Sequence, residues 1–140
     1  MATAIDSEIA PRDFSDGFLP AYIQPLPTCM EAEDMMHLWK KGAAVIPEIA
    51  FRNELLRSYI EFVHPYMPLL DVHDFLRIVD KGTGENGKVS LLLFQAVMFA
   101  GVAFADRSYL TAAGYPTRRS ARKAFYLKTR VCMLCNYHFP

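Results

Sequence analysis

Apolar residues recur at helical spacing along most of this chain, and prolines and glycines cut the pattern into short segments. Leu55, Leu56, Tyr59 and Val63 share one face, with Arg52 and Glu61 turned outward, which predicts a helix over 48–63. Upstream, Thr28-x-x-Glu31 has capping-box spacing, with Glu33 and Asp34 in the first turn. Met35, Leu38 and Trp39 then form the stripe of a helix that Gly42 ends. Downstream, Phe75, Ile78 and Val79 repeat the pattern until Lys81-Gly82, and residues 83–88 read as an exposed loop. Ser90 is placed to cap the most apolar helix, over 91–105, where no charge occurs. That helix is expected to be covered on every side, with Phe94 and Phe104 in its core and Gly101 permitting close approach of a neighbour. A short segment over 107–113, closed by Gly114 and Pro116, precedes a last helix capped by Thr117. Its inward residues are Ala121, Ala124, Phe125 and Val131, with the arginines outward. No strand-like alternation competes. The pattern predicts an all-α fold, an irregular bundle or array of about five to six helices.

The densest signal lies in residues 56–75, LRSYIEFVHPYMPLLDVHDF. His64 and Met67 precede prolines, which disfavours the α region at both and predicts a helix stop near His64. Asp71 is placed to accept from a free backbone N–H of the following helix, and Asp74 adds negative charge to its first turn. The expected product is a helical elbow tied into the core, with Tyr59, Val63, His64, Pro65, Pro68, Leu70, Asp71 and Phe75 as its structural residues.

Tyr59-Ile60-x-x-Val63-His64-Pro65-x-Met67-Pro68-Leu69-Leu70-Asp71-x-x-x-Phe75 resembles the opening of the fungal-specific transcription factor domain, the middle homology region of zinc-cluster regulators. Residues 34–47, DMMHLWKKGAAVIP, are similar to the segment leading into that domain. Residues 90–106, SLLLFQAVMFAGVAFAD, then Ala113-Gly114-Tyr115-Pro116-Thr117-Arg118 and Ala121-Arg122-Lys123-Ala124-Phe125, resemble the cutinase transcription factor subgroup. The likeness covers residues 32–131 in order. It implies a non-catalytic regulatory domain over 28–140, the N-terminal part of a larger helical domain, preceded by an extended or disordered arm over 1–27. It also implies nuclear location, and action through protein partners or a full-length relative. In the family, DNA is read by a cluster of six cysteines that binds zinc. Here only Cys29, Cys132 and Cys135 occur, so neither zinc nor another cofactor is expected in this chain, which reads as a piece of a regulator prone to self-association.

Composition fits that picture. A chain of 140 residues with 52% hydrophobic and 21% charged residues is globular and has room for one modest core. Net charge is zero, which argues against nucleic-acid binding by the chain as a whole. The distribution is uneven: from Arg107 onward there are seven basic residues and no acidic one. An odd cysteine count without a cationic leader or apolar secretory segment points to a reducing compartment.

Candidate chemistry is thin. His64, Asp71 and His73 supply ligand types for a small metal-dependent hydrolase, which would need them to converge on one ion with an open position. The structural reading assigns Asp71 to a cap and His64 to a helix C-terminus. Cys132-x-x-Cys135-x-x-His138 has zinc-like spacing but lacks a fourth ligand nearby. The apolar helix over 91–105 is shorter than the ~20 residues a bilayer needs, so burial is expected over membrane association. Arg118-Arg119-x-x-Arg122-Lys123 invites phosphate contact or an import signal, and is expected to be a solvated helix face. Truncating Phe94 to Ala should cost about 3–5 kcal/mol if that ring is central. A thermal melt within a degree of the parent would contradict the placement.

Overall fold

The computed structural model describes residues 19–26 and 32–137, with side chains to Leu134. Helix α1 spans Ala32–Lys40 and α2 spans Ile49–Ser58, the latter running on into a π-helical turn, Tyr59–Val63. Helix α3 spans Val72–Lys81, α4 Leu91–Val102, α5 Arg107–Ala112 and α6 Arg118–Tyr137. The all-α expectation holds, with no strand among the described residues.

Local chemistry sets most boundaries. The Asp71 carboxylate accepts from the Asp74 N–H at 3.1 Å, and the Ser90 hydroxyl accepts from the Leu93 N–H at 3.1 Å. Thr117 Oγ1 accepts from the Ser120 N–H at 3.1 Å at the start of α6. Gly82 closes α3 in the left-handed conformation at φ 67°, where a side chain would be strained. The capping box at Thr28 and Glu31 lies outside the described residues.

Helix α4 is the axis of the bundle, packed about equally on α6 and on α2 with its π-turn. Phe94, Met98 and Val102 on α4 are wholly buried, as are Leu55 on α2 and Phe125 on α6. At the α2–α4 crossing the backbones nearly touch. A Cβ added at Gly101 would lie 2.2 Å from the Leu55 carbonyl oxygen. Only glycine fits there. A second tie is polar: Gln95 is fully buried, and its Nε2 donates to the carbonyls of Ala43 at 2.8 Å and Val45 at 3.2 Å. These bonds hold the non-helical α1–α2 connection on α4 and satisfy carbonyls that no helix could serve.

Two expectations about α4 need correction. It ends at Val102, three residues early, and Phe104 lies in the following turn, half exposed. Nor is every side covered, since Leu93 is also exposed. The cause is the sharp turn into α5, closed by the Phe104 N–H on the Gly101 carbonyl at 3.0 Å. Arg118 caps that end rather than pointing outward, donating from Nη1 to the carbonyls of Val102 and Ala103, each at 3.2 Å.

The segment at residues 19–26 turns once, with the Ile23 N–H on the Pro20 carbonyl at 3.0 Å, and it is packed. Tyr22 and Ile23 are buried, and the Gln24 N–H and Tyr22 carbonyl bond to Val89 at 2.8 Å each, forming a lone parallel bridge. The Tyr22 ring meets Phe94 at 5.9 Å, and Phe75 stacks on Phe94 from the other element at 6.5 Å. Arg52, expected to face outward, lies over the Tyr22 ring at 5.8 Å instead.

Gly101→Ala gives a direct check on the crossing. In an ordinary helix this change stabilises by about 1 kcal/mol through propensity. Here overpacking should outweigh that gain and leave a net loss of about 2 kcal/mol or more. A urea midpoint equal to or above the parent's would show that the helices are not in backbone contact.

Candidate functional site

The elbow is built by one extra residue in the last turn of α2. The His64 N–H reaches back five residues to the Tyr59 carbonyl at 2.9 Å, so the helix widens into a π-turn before it stops. The N–H groups of Tyr66 and Met67 then both fold onto the Val63 carbonyl, at 3.1 and 3.0 Å. The expected stop near His64 is found, but His64 itself stays in the right-handed α region at φ −56°, ψ −41°. The restriction imposed by Pro65 is a bias, and the converging bonds on Val63 override it. Proline at position 65 supplies no N–H, so the ladder ends there.

Only the two ends of the elbow enter the core. Tyr59 and Phe75 are buried, and Val63, His64 and Leu70 are partly so. Pro65 and Pro68 are exposed, and between them the turn is open to solvent. Tyr66 is 83% exposed, Met67 55% and Leu69 80%. The expectation that the turn is tied into the core is therefore corrected. It projects past the end of α2, where the prolines cannot join a helix ladder and no element among the described residues lies over it. Phe62, also exposed, stacks on Phe104 at 5.4 Å, extending the apolar surface back toward the α4–α5 turn. Beside it, an open groove of about 540 Å³ runs between α2 and α3, floored by Leu56, Ile60 and Leu76 and edged by Arg57, Glu61 and Asp80.

The acid, base and ligand candidates do not converge. Asp71 caps α3, Asp74 pairs with Arg77 on the same helix, and His73 is exposed. His64 packs its ring 6.4 Å from that of Tyr59, with Nδ1 buried and without a hydrogen-bond partner. Among the described residues no group of three His, Cys, Asp or Glu side chains could hold a metal ion, and no helix is long and apolar enough to cross a membrane. Cys132 is buried with its sulfur 3.9 Å from the Ala43 carbonyl oxygen. Cys29, His138 and the Cys135 side chain lie outside the described residues.

Behind the elbow sits a charged group that the sequence pattern does not single out. Glu54 is 7% exposed, and its carboxylate accepts from Arg57 Nε and Nη2 at 2.8 Å each. It also accepts from the Ser58 hydroxyl at 3.3 Å and from the Asp106 backbone N–H at 2.8 Å. The last bond ties α2 to the start of α5 across 52 residues. Arg57 in turn pairs with Glu61 on the rim of the groove. The bonds from Arg57 above all, and the Asp106 N–H with them, hold the Glu54 carboxyl at about 2, well below its ordinary 4.5, against the cost of burial. Glu54-x-x-Arg57 spacing hints at a helix ion pair, but nothing local signals the third partner.

The chain is 52% identical over 113 residues, 81% of its length, to Cutinase transcription factor 1 beta of Fusarium vanettenii. It is 40% identical over 119 residues, 85% of its length, to a transcription factor of Fusarium pseudograminearum. Transcription factor cpaR of Aspergillus oryzae is 35% identical over 119 residues, again 85% of this chain. The chain is homologous to fungal transcription factors. It spans 13% of the length of the two Fusarium relatives and 20% of the Aspergillus one, and is thus homologous to one segment of such a regulator. No family model matches the chain, and no solved structure matches it significantly. The resemblance of the elbow to fungal transcription factors, and of residues 90–125 to the cutinase subgroup, is borne out by these relatives. The metal-hydrolase and membrane alternatives find no support in them.

In this chain the Glu54 tie fixes how stability depends on acidity. Its folded-state value lies below the unfolded one, so its contribution is complete above about pH 4.5 and is lost as pH falls through about 2. The contribution is on the order of 3 kcal/mol. Glu54→Gln should lower the melting temperature at pH 7 and remove most of the parent's loss between pH 5 and 2. Parallel acid limbs for parent and variant would mean that the carboxylate is not held as described.

Proposed function

We propose that this chain is a non-catalytic regulatory segment of a fungal transcription regulator, and that it acts by protein contact at the elbow. The observation that carries this reading is similarity to named transcription factors across 81% of the chain. Its support in the molecule is the character of the elbow. Large apolar side chains, Tyr66, Met67 and Leu69, stand exposed on a turn whose two ends are anchored by Tyr59 and Phe75. An exposed apolar surface between buried anchors suits association, and a capping carboxylate with imidazoles that do not converge does not suit catalysis.

In this reading the partner is the remainder of a regulator or a full-length relative, and the same surface makes the chain prone to self-association. DNA is read by the zinc cluster of the family, and this chain itself takes no zinc or other cofactor. Its place of action is the nucleus. His64, Asp71 and His73 serve the elbow and perform no chemistry.

A tethering assay tests this directly. The chain is fused to an unrelated DNA-binding module in a filamentous fungus, upstream of a reporter gene. Reporter output should change at least threefold relative to the module alone, and a Tyr66→Ser, Leu69→Asp pair should return it to baseline at equal protein level. Output indistinguishable from the module alone would reject a regulatory role for the segment.

A further inference from the structure

A second surface, on α6 and sharing no residue with the elbow, has a chemistry of its own. On α6 the positions 119, 122, 123, 126, 127, 130, 133 and 134 follow helical spacing and share one face. That face alternates in character along its length. Arg119, Arg122, Lys123 and Arg130 are all exposed. No acidic side chain among the described residues forms an ion pair with them, and the sequence holds no acidic residue after Asp106. Between and beyond these cations stand Tyr126, Leu127, Met133 and Leu134, each 40–49% exposed. The stripe extends about 22 Å along the helix axis, at 1.5 Å per residue. The inner face is already occupied by Ala121, Phe125 and Val131 in the core.

The surface is also concave. Phe99 of α4 meets Tyr126 at 5.9 Å, and with Arg119, Arg122 and Lys123 they line a depression of about 310 Å³. That volume admits one large side chain, at the lower end of binding-pocket sizes. An aromatic floor ringed by three cations favours an apolar or aromatic side chain flanked by carboxylates. Tyrosine and arginine are also the residues that dominate interface hot spots.

We propose that this face of α6 is a docking site for an acidic amphipathic helical segment that carries aromatic or large aliphatic side chains. Charge complementarity selects this occupant. A second copy of the same face would set cations against cations. Nucleic acid would answer the cations but would leave Leu127, Met133 and Leu134 uncovered, and the cations lie on a helix flank without the amide side chains that read base edges. An acidic amphipathic helix answers both, meeting the cation rows with carboxylates and the apolar positions with its own stripe. The surface is separate from the elbow, so the two can be engaged independently.

The probe is a synthetic 18-residue amphipathic helix with glutamates flanking a Trp/Leu stripe, labelled for fluorescence anisotropy and titrated with the full chain. Saturable binding is expected, weakening at least tenfold when every glutamate is replaced by glutamine and at least tenfold in an R122E/K123E protein. Tyr126→Ala should weaken it at least fivefold, whereas polyglutamate of equal charge should bind at least tenfold more weakly than the probe. These substitutions are at exposed positions, and amide hydrogen exchange of the unmodified protein should independently show probe-induced protection on α6. Absence of saturable binding, equal binding of the neutral peptide or of polyglutamate, displacement by duplex DNA of the same charge, or protection at the elbow in place of α6 would each overturn the assignment.

Discussion

Two helix backbones meet where a side chain would not fit, and the rest of this molecule is arranged around that contact. With hydrogen alone at Gly101, α4 comes against the carbonyl of Leu55 on α2. Close approach leaves Leu55, Phe94, Met98 and Val102 wholly buried beside it. It also brings the end of α2 beside the α4–α5 turn, which is what allows Glu54 to reach the Asp106 N–H and Phe62 to stack on Phe104. A larger residue at 101 would push the helices apart and undo the polar tie along with the packing.

From that crossing the functional surfaces follow in sequence. The π-turn begins one residue after the buried, hydrogen-bonded Ser58, and it carries the chain out of the bundle at His64. Pro65 and Pro68 keep the following residues from rejoining a helix, so Tyr66, Met67 and Leu69 remain at the surface. Asp71 then restarts the helix, and Phe75 returns the chain to Phe94. The exposed residues are few, and they lie between two buried anchors, Tyr59 and Phe75. At the end of α4, Arg118 caps the axis helix and so fixes where α6 begins, which orients its outer cationic and apolar face.

What could be read from residues alone divides by range. Caps at Asp71, Ser90 and Thr117, and the glycine stops at Gly42 and Gly82, depend on neighbours within a turn and were legible in the residue order. Gly101 was legible as a place for close approach, but its partner Leu55 lies outside any local window. Glu54 and Gln95 were opaque for the same reason, since their decisive acceptors and donors are supplied by Asp106, Ala43 and Val45, about 50 residues away. Tyr22 was hidden by surrounding prolines, which suppress every periodic signal while leaving the segment free to pair with Val89. The elbow was found because prolines are informative about backbone. Its exposure was not, because a run of apolar residues does not say whether anything covers it.

Native-state amide exchange measures the claim that the α2–α4 contact governs the fold. The amides of Leu56 to Tyr59 and of Val97 to Gly101 should exchange only through global unfolding, with a shared denaturant dependence, while Tyr66, Met67 and Leu69 exchange by local opening at least a hundredfold faster. Independent, low-protection exchange on α2 and α4, or protection at the elbow turn equal to theirs, would contradict a structure organised around that crossing.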